Sequence, residues 1–353
     1  MTIIALPPLT SLADTDNDLC QGVIDVSRAS VEAATGSTDY AVVPGWLVTH
    51  LISSPHQSNH IAAYVEDDAV VGYASLEASL SDTPTEAFID VVVHPAHRRQ
   101  GVGTQLLAWA EDLAASLGRT TLHGALFATP PAPADEVVTT PGGNAFPADS
   151  PGWQFVQAHG YALGQIQSNS VMDVPVPPDR LDAWSNETAA EGYRLHTWWV
   201  PLPDEWLGEY GRLRGDVTGE TPNDGMDYEI ENWSPDRLRA RWREWQAAGL
   251  ESLTVAAEHC ETGRLVAFTQ INLLGPHPAA AFQGYTYVER SHRGHHLGLA
   301  VKTQALRTLQ ESRPSVVRIH TENATENAPM LAINRQMGFY PDTISGFIQK
   351  KTS

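Results

Sequence analysis

Apolar and polar positions along the 353 residues switch repeatedly between a period of two and a period of 3.6. Residues 61–65 and 70–76 are apolar-rich runs around Asp67-Asp68, and their pattern predicts a β-hairpin. Residues 87–93 are almost continuously apolar, as expected of a strand buried on both faces. Beyond a basic turn, Val102, Leu106, Ala110, Leu113 and Leu117 recur at three- and four-residue spacing, which predicts a helix over 102–117 stopped by Gly118. A strand over 120–127 follows. A helix over 153–159 ends at Gly160, and a strand over 161–173 comes next. Residues before 60 read as loop and helix.

The same order returns further on. Residues 253–257 and 265–273 form a hairpin pattern around Glu261-Thr262-Gly263, and 280–288 read as a strand. Leu297, Val301, Ala305 and Leu309 keep helical register over 297–311. Strand, helix and strand follow at 316–321, 328–337 and 344–349. Two further helices are expected at 206–214 and 234–248, the second with Ser234 as N-cap and Pro235 in the first helical position. Two segments with one order of elements predict a duplicated unit.

The boundary between the copies falls in Val174-Pro175-Val176-Pro177-Pro178-Asp179, a proline-stiffened stretch. The expected division is therefore 1–175, a linker over 176–190, and 191–353. A proline- and glycine-rich segment over 129–152 breaks the pattern of the first copy, as a loop or a lid over a site.

Net charge of −20 argues against a nucleic-acid binder and against docking on anionic lipid. No run of about 18 apolar residues is present, so no membrane span is expected. The start of the chain lacks the basic and apolar stretches of a signal peptide. With only Cys20 and Cys260, no disulfide framework is expected, and a cytoplasmic location fits. His292, His295 and His296 lie close in sequence, as do His94 and His97, but neither group brings the further ligands of a metal site, and none is expected. The tryptophans crowded into the second half read as core.

The chemistry concentrates in two turns 195 positions apart, Arg98-Arg99-Gln100-Gly101-Val102-Gly103 and Arg293-Gly294-His295-His296-Leu297-Gly298. Each joins a strand to a helix. Such a turn gathers free N–H groups and the positive end of a helix dipole at one spot, which suits a pyrophosphate.

Arg98 to Gly103 matches R-x-x-G-x-G and resembles motif A of the GNAT superfamily of acyl-CoA N-acyltransferases. The second turn resembles the same motif, and Asn323 to Phe339 resembles motif B. The resemblance covers about residues 20–175 and 190–350, as in tandem-domain members of actinobacterial type. It implies an α/β (α+β) chain of two GNAT-like domains, each a mixed, mostly antiparallel twisted sheet flanked by helices. It also implies acetyl transfer from acetyl-CoA to an amine of a small molecule, directly and in a ternary complex. A non-catalytic CoA-binding sensor and a protein N-terminal acetyltransferase are the alternatives. A monomer or homodimer is expected.

Carried onto this chain, the resemblance places the coenzyme on Val92, Val93, Arg98, Arg99, Gln100, Gly101, Val102, Gly103 and Thr104. The strand end supplies backbone groups to the pantetheine and thioester. A second, less favoured site comprises Val288, Arg293, Gly294, His295, His296, Leu297, Gly298 and Asn327, where His296 replaces the first glycine. Many GNATs use a tyrosine four residues before the motif B glycine as acid; Val156 and Asn334 hold those positions here. Tyr161, His159 or solvent around the coenzyme is the expected substitute acid, and Glu86 or Asp90 the expected base. Glu289 and His292 are the corresponding candidates in the second copy.

Overall fold

The computed structural model describes residues 2–80, 85–188, 191–220, 226, 228, 231–275 and 278–352, with Thr218 by its backbone alone. In chain order the elements are β1 (Thr2–Ala5), α1 (Asp18–Thr35), α2 (Pro44–Leu51), β2 (Gln57–Glu66), β3 (Ala69–Ser79), β4 (Glu86–Val93), α3 (Val102–Ser116) and β5 (Thr121–Ala128). Then come β6 (Val137–Thr139), β7 (Ala145–Pro147), α4 (Pro151–Ala158), β8 (Ala162–Asp173), α5 (Pro178–Glu187), β9 (Tyr193–Trp199), α6 (Leu207–Glu220) and α7 (Pro235–Ala247). The last are β10 (Glu251–His259), β11 (Arg264–Leu273), β12 (Ala280–Val288), α8 (Leu297–Ser312), β13 (Arg318–Ala324), α9 (Ala328–Met337) and β14 (Tyr340–Lys351).

Two compact units emerge. The first comprises the described residues within 1–168, 222–229 and 343–353; the second comprises those within 169–221 and 230–342. The division differs from a simple cut near residue 175. The C-terminal strand returns to the first unit, where Ile344 to Lys351 pair antiparallel with Ala128 to Thr121. Met226 also belongs to the first unit, packed so closely over Gly164 that a Cβ there would collide with its sulfur. The expected linker over 176–190 contains α5. Pro178 suits the start of a helix, and Leu181 and Trp184, one turn apart, are buried in the second unit's core.

In the first unit the strand order β1-β2-β3-β4-β5-β14 is antiparallel except for β4 with β5. Alternation along each strand sorts side chains by face. Ala74, Leu76, Ala87, Ile89 and Leu122 join Val102, Leu106 and Ala110 of α3 in one core. Tyr73, Ser75 and Glu77 of β3, Glu86, Phe88, Asp90 and Val92 of β4, and His123 and Phe127 of β5 share the opposite face by register. That face is covered from α1 and α2: the Tyr73 hydroxyl bonds Ser27, and His50 Nε2 lies 2.8 Å from Glu77 Oε1.

The second unit orders its strands β9-β10-β11-β12-β13, antiparallel except for β12 with β13. One core joins α5 and α8 to the sheet; another joins α6 and α7 through Tyr210, Leu213, Trp242 and Phe268. Several of the tryptophans lie in or against these cores. Both units are thus mixed, mostly antiparallel sheets flanked by helices.

Candidate active site

The parallel pair β4–β5 is short. Glu86, Ala87 and Phe88 pair with Thr121, Leu122 and His123, and there the pairing ends. Beyond it β4 runs on to Val93 beside β3, and β5 to Ala128 beside β14, so the strands part in a splay. In the second unit β12 and β13 pair from Ala280–Arg318 to Gln283–Thr321 and then part likewise.

Each splay ends at its glycine turn. In the first turn Arg99 and Gly101 have φ of 61° and 85°; in the second Gly294 and His296 have 86° and 56°. The left-handed positions therefore coincide, with glycine and non-glycine exchanged between them. Histidine is among the residues that tolerate this region. The His296 side chain is 61% exposed, so its imidazole does not fill the turn. The first intrahelical bonds run from Gln105 N–H to Gly101 O at 3.2 Å and from Ala300 N–H to His296 O at 3.0 Å. The N–H groups of Val102 to Thr104 and of Leu297 to Leu299 thus have no acceptor within the helix.

The arginines that open the turns hold backbone. Arg98 Nε donates to Val93 O at 3.2 Å, and Arg293 Nε to Val288 O at 3.1 Å. Arg98 also bonds Ser30, and Arg293 bonds Glu220. Arg99 donates to Gln154 Oε1, and the Gln100 amide to Ala96 O. Val102 and Leu297 are core residues; Thr104, Gly294 and His295 are exposed.

The two glycines of the first turn serve different ends. A Cβ on Gly101 would meet open space, so the room beside it is available to a phosphate. A Cβ on Gly103 would come to 3.3 Å of the Phe155 ring, and one on Gly298 to 3.1 Å of Ile333. Gly103 and Gly298 therefore admit α4 and α9 against α3 and α8. Asn327 caps α9, accepting from Met330 N–H at 3.4 Å.

The expected proton-transfer groups divide. Asp90 lies on the sheet face toward α1 and α2, opposite Ser75, and is partly exposed. Desolvation first, then the Glu77 charge, push its carboxyl up to about 6. Glu86 lies at the start of β4 with Oε1 3.9 Å from His123 Nε2. Tyr161 is elsewhere: its hydroxyl donates to Glu111 Oε1 at 3.0 Å, and its ring is in the core with Val156. His159 Nδ1 contacts Phe155 O on α4. In the second unit Glu289 accepts from Arg212, and His292 contacts the Tyr193 hydroxyl. Asn334, in the position of the usual acid, donates to Asn323 Oδ1 at 2.6 Å.

Two features were not read from the sequence. One is His123, on the face that carries Asp90; its signal was a lone histidine in an apolar strand. The other is a bulge in β12. Thr269 pairs with Thr286 and Ile271 with Gln283, so Gly284 and Tyr285 together oppose Gln270. Among the described residues there is no group of three or more His, Cys, Asp or Glu able to hold a metal, and no helix is long and apolar enough to cross a membrane.

Residues 31–129 match the Acetyltransferase (GNAT) family. A mycothiol acetyltransferase of Thermomonospora curvata is 27% identical over 280 residues, 78% of this chain and 77% of that protein. The structure of a tandem GNAT protein from the clavulanic acid biosynthesis pathway is similar over 99% of this chain and 98% of its own, with a TM-score of 0.73 and 23% identity. A GCN5-related N-acetyltransferase from Sphaerobacter thermophilus aligns over 99% of this chain and 95% of its own, with a TM-score of 0.63 and 17% identity. Residues 31–129, within the first unit, thus carry the sequence pattern of the GNAT acetyltransferases, and the chain shares its fold with a tandem GNAT protein.

Proposed function

We propose that the chain transfers an acetyl group from acetyl-CoA to an amine of a small molecule, directly and within a ternary complex, in the first unit. The observation that carries this reading is the splay between β4 and β5 leading to the Gly101 turn. The amides of Val102 to Thr104 bind the diphosphate, with the dipole of α3 behind them. From Val93 back to Phe88 is five residues, about 16 Å at the rise of a strand. A pantetheine lying along that edge reaches the parting of the strands.

Asp90 takes the proton from the incoming ammonium. Its raised carboxyl suits a base working near neutrality. Glu77 and Asp90 on the α1–α2 face favour a cationic acceptor. Main-chain donors beside Val92 polarise the thioester carbonyl. The two free cysteines suit a reducing compartment such as the cytoplasm.

Calorimetry with acetyl-CoA on the wild type and on Gly101→Glu tests the binding half. Affinity falls in the variant if the first turn holds the diphosphate; equal affinity removes the assignment. Thiol release against a panel of primary amines and of peptides with free N-termini tests the acceptor. Acetylation of peptides alone would replace the small-molecule reading with the N-terminal one.

The β12 bulge favours a second reading, a further acetyl-transfer centre in the second unit. Bulges re-aim backbone groups beside active sites. Loss of turnover in His296→Glu, with turnover retained in Gly101→Glu, selects it.

A further inference from the structure

The vertex of the first splay holds a buried histidine. His123 is 3% exposed and pairs in register with Phe88, the last paired residue of β4 before the strands part. Its Nε2 faces Glu86 Oε1 at 3.9 Å, and the Glu86 side chain is itself only 14% exposed. The Tyr228 ring stacks on the imidazole, centroids 5.1 Å apart and planes 29° apart. Tyr228 belongs to the first unit although it lies more than a hundred residues downstream. In the second unit a phenylalanine and a histidine also face each other, one pair short of the vertex, where Phe282 and His320 pair and their rings stack at 5.4 Å.

We propose that His123 carries the proton that must pass from the acceptor nitrogen to the leaving sulfur, the task left open by Val156 and Asn334. The inference rests on the acetyl-transfer reading. Once Asp90 has taken the first proton of the ammonium, the neutral amine attacks the thioester carbon and a C–N bond forms. The nitrogen then carries a proton it must lose, and the C–S bond breaks to a thiolate that must gain one. Nitrogen and sulfur are bonded to the same carbon, so one imidazole at the vertex reaches both. It accepts the proton from nitrogen and gives it to sulfur, ending as it began. The Asp90 proton passes to water, so the products are amide, free thiol and one released proton.

Glu86 is the positioning residue. A carboxylate beside the ring supports the transient imidazolium. Tyr228 fixes the ring plane.

The experiment compares wild type, His123→Gln and Glu86→Gln, with hydroxylamine as acceptor and hydroxamate formation as readout. Hydroxylamine is largely neutral at the pH of the assay, so it spares the first deprotonation and isolates the second transfer. Acetyl-CoA affinity by calorimetry reports the fold of each variant. His123→Gln is expected to keep that affinity and lose about 100-fold in kcat. Glu86→Gln is expected to move the pH profile of kcat. Full kcat in His123→Gln overturns the inference. Should that variant lose acetyl-CoA binding, the decision passes to Glu86→Gln, and an unmoved pH profile overturns it. A wild type that binds acetyl-CoA yet acetylates neither hydroxylamine nor any amine overturns the transfer reading itself, whatever the variants do.

Discussion

Gly101 and His296 hold the same left-handed corner at the mouths of α3 and α8, at φ of 85° and 56°. An L side chain there costs about 1–2 kcal/mol, and a glycine costs roughly 0.4–1 kcal/mol through the freedom it adds to the unfolded chain. Nothing lies within 4 Å of a Cβ built on Gly101, so conformation alone decides the outcome there. Gly101→Ala should lose about 1 kcal/mol, whereas His296→Gly should be neutral or gain up to about 1 kcal/mol. Urea unfolding of both variants checks the pair. Equal losses in the two would mean the corners are not equivalent.

The turns were legible because strand, basic turn and amphipathic helix each leave a periodic trace. Arg98, Arg293 and Asn327 were placed on the ligand by resemblance, and the structure shows them bonding Val93, Val288 and Met330 of the chain itself. A motif fixes which residues recur but not whether their polar atoms turn inward or outward. Gly103 matched the motif for a reason the pattern does not state, the approach of Phe155. What the sequence hid is non-local. The register of Phe88 with His123, the pairing of β14 with β5 and the packing of Met226 on Gly164 join residues tens to hundreds of positions apart. No local periodicity records them. The helix α5 was hidden by its own prolines, which suit a stiff linker and a helix start equally well.

Asp90 makes stability depend on pH. Its carboxyl rises from 3.8 to about 6, so the folded state disfavours the charged form. The contribution is fully present below pH 3.8 and is lost as pH rises through about 6. Asp90→Asn should therefore gain about 1–3 kcal/mol at pH 7, discounted for partial exposure, and almost nothing near pH 4. Turnover of a cationic amine should fall in the same variant. Denaturant titrations at the two pH values provide the check, and a gain that is equal at both would remove Asp90 as the titrating group.

Lys302 titrates in the opposite sense. It is 1% exposed on α8, with Nζ 5.6 Å from the centre of the Phe339 ring, and burial lowers its ammonium from 10.5 to about 7. For a base with a depressed value, stability is present above 10.5 and is lost as pH falls through about 7. Lys302→Met keeps the length of the chain and removes the charge. It should raise stability at pH 7 by roughly 2–4 kcal/mol, with the advantage shrinking toward pH 10. Unfolding midpoints across that range decide the matter; a Lys302→Met protein less stable than wild type at pH 7 would show that the ammonium is held rather than tolerated.

Tyr161 is expected to matter for the fold more than for the chemistry. Its hydroxyl donates to Glu111, which also receives Lys350 Nζ at 2.8 Å, and the ammonium lies 5.3 Å from the centre of the Tyr161 ring. Burial and the Glu111 carboxylate both push the phenol upward, so it holds its proton more tightly than a free tyrosine. An acid for a departing thiolate needs the reverse. Tyr161→Phe keeps the buried ring and leaves Glu111 its bond to Lys350. The loss should be about 1–2 kcal/mol, the worth of one hydrogen bond to a charged group. Turnover should stay within about twofold, since less than 1 kcal/mol of barrier is at stake. Glu111→Ala, which strands both partners, should cost more stability and again spare kcat. A Tyr161→Phe enzyme of normal stability with kcat down about 100-fold would restore the phenol as the proton donor and remove that role from His123.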